Sequence, residues 1–152
     1  VSRIPRFLEH LKTGFTAEAV SAARYRAYAV KAEQDRQPNL ARRWRSLAEA
    51  KDALAIEMLQ AAEQVRGLHA DLGNALSEER YENDILYPKM IRDTGGASGN
   101  EHTANVFLRV VAAQKEHLRQ LESLREETNA AEGDVALPAG VDRGSAASAP
   151  ES

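Results

Sequence analysis

The chain has 152 residues, a size suited to one domain with an ordinary core, and it is 43% hydrophobic but only 5% aromatic. Ala, Leu, Glu and Arg are abundant, and no run of Val, Ile and Thr alternates with polar residues, so the composition points to an all-α fold. The net charge of −3 comes from interleaved acids and bases, which argues against a nucleic-acid partner, and the lack of cysteine excludes disulfides, thiolate metal sites and iron–sulfur centres.

Four long amphipathic segments follow one another. The first covers residues 6–35 and ends ahead of Pro38, which cannot continue a helix. The second covers residues 40–66 and stops near Gly67. Its "ARRWRS" stretch, residues 41–46, is the most basic run of the chain and reads as a solvated helix face. The third starts at Ala70 or Asn74 and reaches Arg92, with Pro88 disturbing its last turn. "DTGGASGN", residues 93–100, predicts a loop. The fourth segment covers residues 101–127.

Beyond it, residues 128–152 are rich in Ala, Gly, Ser and Pro without a periodic apolar face, the pattern of a disordered tail. No apolar run approaches the ~18 residues of a membrane span, and the N-terminus has no signal-peptide core. A cytoplasmic protein without a membrane partner is expected. Four helices joined by short loops predict an antiparallel four-helix bundle over residues 1–127, built from two helical hairpins.

Each apolar stripe is interrupted by polar residues. The first runs Leu11, Phe15, Glu18, Ala22, Tyr25, Ala29, Ala32, and the second Leu40, Trp44, Leu47, Lys51, Leu54, Met58. The third runs Leu72, Ala75/Leu76, Glu79, Glu82, Leu86, Met90, and the fourth Phe107, Val110, Gln114, His117, Leu121, Leu124. Buried carboxylates need partners, and antiparallel neighbours would bring Glu18, Lys51, Glu79, Glu82, Gln114 and His117 to one level of the bundle. Glu79/Glu82 and Gln114/His117 each have the i, i+3 spacing that puts both side chains on one face. Taken singly, each has a plainer reading: a satisfied core histidine, a lysine at the edge of a stripe, a charged flank. Tyr25, Tyr81 and Tyr87 read as packing residues.

"TAEAVSAARY", "SEERYENDILYP" and "AAQKEHLRQL" resemble the diiron domain of the rubrerythrins, within the ferritin-like superfamily, over roughly residues 11–124. "ERYENDILYP" is the most specific piece. The resemblance implies a metal site in the bundle core. It puts Glu18 at the first-helix ligand, Glu79 and Glu82 at the two third-helix ligands and His117 at the fourth-helix histidine. Lys51 and Leu54 replace the Glu and His of the second-helix pair, and Gln114 replaces the fourth-helix Glu. Both bridging carboxylates are therefore gone, a full diiron centre is not expected, and a rubredoxin-like domain is excluded by the lack of cysteine.

Two readings stay open. In one, a rubrerythrin-like metalloprotein holds at most one divalent ion (iron, manganese or zinc) among Glu79, Glu82, His117 and Gln114, with Glu18 nearby, for redox chemistry with peroxide or oxygen. Its electron donor is unknown. In the other, the Lys51 ammonium replaces the metal and the bundle is a metal-free structural or interaction module. A third, an enzyme using His117 as general base without metal, has no other support in the sequence. A homodimer is implied by the resemblance, with Ile85 and Val111 as exposed apolar residues.

Overall fold

The computed structural model describes residues 6–95 and 100–141. Their regular structure is all helical, without strands, and the chain divides into two compact units, Val1–Gly67 and Leu68–Ser152. Each unit is an antiparallel helical hairpin.

In the first, α1 (Arg6–Gln34) turns into α2 (Pro38–Ala61) through three residues. Gln37 N–H bonds to Ala32 C=O and Arg36 N–H to Glu33 C=O, which closes α1 with a left-handed cap. Arg36 supplies the positive φ of 59° usually left to glycine. Pro38 then occupies the first turn of α2, where a missing N–H costs nothing. The same cap ends α2: Glu63 has φ 56°, and Gln64 N–H bonds to Leu59 C=O.

The seam of this hairpin is made of alanine. Ala22, Ala29 and Ala32 of α1 and Ala41, Ala48 and Ala55 of α2 are its buried residues. Small side chains let two backbones approach closely, and Gly14 carries this further. A Cβ there would sit 2.5 Å from Met58 Sδ. The contacts Glu33–Arg45, Arg26–Asp52 and Gly14–Met58 follow the antiparallel order. Trp44 packs with Tyr25 and Tyr28 at ring separations of 5.2 and 5.1 Å beside the turn.

On α1 the seam residues Ala22, Ala29 and Ala32 belong to the stripe read in the sequence, but on α2 the seam lies one residue round from it. Leu40, Leu47 and Leu54 have the same seven-residue spacing as Ala41, Ala48 and Ala55, but they are exposed. Their own hairpin does not cover them. Within "ARRWRS", Arg42, Arg43 and Ser46 are exposed, as expected of a solvated face, and Arg45 pairs with Glu33 at 2.7 Å, whereas Ala41 is buried in the seam and Trp44 packs against it.

In the second unit a single helical run comprises α3 (Leu68–Tyr81), a π turn (Glu82–Leu86) and α4 (Tyr87–Gly95); α5 (Glu101–Ala130) packs against it. Pro88 explains the π turn. Its ring would clash with the Asp84 carbonyl in a regular helix, and widening the preceding turn relieves this, with Tyr87 N–H bonding to Glu82 C=O. Helix continues through Asp93 and Thr94 to Gly95, farther than the loop composition suggests. Thr94 Oγ1 bonds back to Met90 C=O at 2.8 Å. The rest of that loop, residues 96–99, and the end of the tail, residues 142–152, lie outside the described residues. Residues 131–141 follow α5 without helix.

Antiparallel order is again visible in pairs: Arg80–Glu122 at 3.0 Å, Glu82–Gln114, and Tyr87–Phe107 at 5.9 Å between rings. Leu72, Leu76, Asn83 and Gln114 are buried in this unit. Among the described residues no helix is long and apolar enough to cross a membrane.

Candidate functional site

Each hairpin assembles its own set of the polar residues singled out in the sequence. In the first, Lys51 Nζ lies 2.8 Å from Glu18 Oε2, with side-chain exposures of 31% and 20%. The hydrogen bond to Glu18 holds the Lys51 ammonium above the ordinary lysine value of 10.5; partial burial opposes this, and the charges of Glu18 and Tyr25 add to the rise. A lysine in this state is a cation, with no free pair for nucleophilic or base chemistry near neutrality.

A raised lysine value makes the folded state bind its proton more tightly than the unfolded chain does. The stabilisation from the pair is thus fully present below about pH 10.5, the unfolded lysine value, and is lost as pH climbs through the folded-state value. Urea unfolding of wild type and Lys51→Met should differ by a constant amount from neutral pH to about 10 and converge above it. A gap that persists unchanged into strong alkali would assign the lysine's contribution to packing of its methylenes.

In the second hairpin, α3 and the π turn face α5. Gln114 is buried, and its Nε2 donates to Glu82 Oε2. One turn earlier, Glu79 Oε1 lies 3.9 Å from His117 Nδ1, too far for a hydrogen bond. Glu79 Oε2 and Gln114 Oε1 are buried and accept no hydrogen bond. An acceptor shut from water without a donor costs roughly 1–3 kcal/mol, so two of them mark a place suited to a cation or a donor.

Glu79, Glu82 and Gln114 are partly or fully buried, as their stripe positions require, whereas His117 is 56% exposed. Among the described residues, no three His, Asp or Glu side chains converge on one point as they stand. The arrangement is two adjacent pairs, Glu82–Gln114 and Glu79–His117, on facing helices. Its donor set is two carboxylates, one amide oxygen and one imidazole, which fits iron(II), manganese(II) or zinc(II).

Two features escape the periodicity. Asn83 is buried and its Oδ1 also lacks a donor, while its Nδ2 reaches Asp84 Oδ1 at 3.3 Å. The π turn begins at Glu82 itself, and such turns recur at functional sites. The only sequence signal for it is Pro88. Of the three tyrosines, Tyr25 and Tyr87 belong to aromatic contacts and Tyr81 is exposed.

Set against protein-family models and curated proteins, the chain matches none.

Proposed function

We propose that this chain is a rubrerythrin-related, ferritin-like metalloprotein with half of the usual site. One divalent ion binds in the α3–α5 hairpin to Glu79, Glu82 and His117, assisted by the Gln114 amide oxygen. The Lys51–Glu18 ion pair stands in for the second metal. In this reading the two hairpins close into an antiparallel four-helix bundle, and the protein is cytoplasmic. The ion supplies, when bound, redox or Lewis-acid chemistry toward peroxide or oxygen. Glu79 and Glu82 provide its charge, and Gln114 orients Glu82 through its amide.

The observation that carries this reading is the pair of buried acceptor oxygens without donors, Glu79 Oε2 and Gln114 Oε1, on facing helices of one hairpin. A cation held between the two helices would supply the partner that each lacks. A metal-free structural module is the second reading, favoured by the 2.8 Å Lys51–Glu18 contact, which already neutralises the lysine. A general-base enzyme built on His117 has no such support.

An ion that binds only the folded state stabilises it, by about 2.7 kcal/mol at a hundredfold excess over the dissociation constant. Chemical unfolding with and without manganese(II) or zinc(II) should show this gain in wild type and its loss in Glu79→Gln. Gln114→Glu should lower stability without metal, by setting two carboxylates together, and enlarge the gain with metal. Metal-independent stability in both wild type and Gln114→Glu would leave the structural module standing.

A further inference from the structure

Asn83 Oδ1 shares the condition of Glu79 Oε2 and Gln114 Oε1: each is a buried acceptor without a donor. Asn83 is 8% exposed and Gln114 7%, and they are the two buried polar residues among those described. Spacing brings the three acceptors to one part of the second hairpin. Leu72, Leu76, Glu79 and Asn83 follow one another at steps of four, three and four, so Asn83 continues the stripe that packs against α5. Glu82, the residue before it, accepts from Gln114 Nε2, which sets that amide beside the same turn.

Asn83 is an unfavourable choice for a residue that only fills a core. Its acceptor is shut from water at a cost, and an apolar side chain next to Leu76 on this stripe would carry none. The amide is held from one side alone: Nδ2 donates to Asp84 Oδ1 over 3.3 Å, which leaves the oxygen on the opposite side of the group. A neutral amide oxygen beside two carboxylates and a second amide is a ligand for a hard cation.

We infer that Asn83 belongs to the site, its side-chain oxygen supplying a further ligand that shifts the site's preference from zinc(II) towards manganese(II). The inference rests on the metal-binding reading above. Zinc(II) settles into a tetrahedral shell, which two carboxylates, an imidazole and solvent complete. Manganese(II) takes an octahedral shell rich in oxygen, so a second amide oxygen counts for it and is surplus for zinc(II). Asn83 thereby narrows the advantage that zinc(II) ordinarily holds over manganese(II) at nitrogen and oxygen ligands.

Calorimetric titration of the metal-free full chain with manganese(II) chloride and, separately, zinc(II) chloride tests it, with circular dichroism as the check on folding. Asn83→Leu should weaken manganese(II) binding by at least the roughly tenfold that an outer partner of a metal ligand contributes, and leave zinc(II) binding within about threefold. Asn83→Asp, which keeps the shape and adds a charge, should bind manganese(II) more tightly than wild type. Equal losses for the two ions in Asn83→Leu would overturn the ligand role and make the residue a prop for the hairpin. A less stable metal-free Asn83→Leu with both affinities intact would overturn it too, the amide then being a donor within the network. Where Asn83→Leu does not fold, Asn83→Asp decides: manganese(II) affinity at or below that of wild type contradicts the inference. Wild type that binds neither ion sinks the metal reading as well, whereas wild type that binds both, with variants indistinguishable from it, sinks the inference alone.

Discussion

Leu76→Ala should destabilise the protein by about 2–5 kcal/mol, the range for removing a leucine from a core that cannot collapse around the gap. Leu76 is 1% exposed and is the one large side chain of the described residues that is fully buried. It lies one turn ahead of Glu79, so the loss has a functional consequence. Slack between α3 and α5 at this level separates Glu79 from His117, whose nitrogen is already 3.9 Å away. Metal-dependent stabilisation should fall together with the unfolding midpoint. A loss of stability with the metal gain intact would mean that the carboxylates are held by Gln114 and the π turn rather than by core packing.

Ala48→Leu should cost about 1–3 kcal/mol through overpacking, and the effect should centre on the first hairpin. Ala48 is 1% exposed in a seam whose other members are also alanines, so an isobutyl group has no space there without parting α1 from α2. Parting them stretches the Lys51–Glu18 contact, three residues along α2. The control is Leu47→Ala at the neighbouring, exposed position, which changes the side chain by the same three carbons yet should cost far less within a single hairpin. Equal costs for the two would mean that Leu47 is covered in the assembled protein and that the alanine seam alone does not set the stability of this hairpin.

The contrast between Ala48 and Leu47 also shows where periodicity stops being informative. A seven-residue repeat identifies α2 as an amphipathic helix, but two adjacent repeats run along it, one of alanine and one of leucine. The larger residues mark the stripe of greatest hydrophobicity, and their own hairpin leaves it exposed. The pairing of α1 with α2 is instead decided by which residues let the backbones approach, and those are Ala22, Ala29, Ala41, Ala48, Ala55 and Gly14. Hydrophobicity ranks the two stripes in one order and helix–helix proximity in the other.

On the second hairpin the spacing argument carries further. Glu79 and Glu82 at i, i+3 and Gln114 and His117 at i, i+3 do face each other in antiparallel order. Burial of Gln114 follows from its place among apolar residues. The exposure of His117 does not, because a stripe position fixes a direction from the helix axis and not how much of a long side chain the neighbouring helix covers. Asn83 and the π turn depend on Pro88 acting on a carbonyl four residues back, an effect that apolar periodicity does not encode.

The central claim is that the α3–α5 hairpin holds a single divalent ion. Elemental analysis after anaerobic incubation with iron(II), manganese(II) or zinc(II) and desalting tests it most directly, on wild type and on His117→Ala and Glu79→Gln. One ion per wild-type chain and none in either variant is the predicted result. A folded, helical wild-type protein that retains no ion would contradict it and leave the metal-free structural module standing.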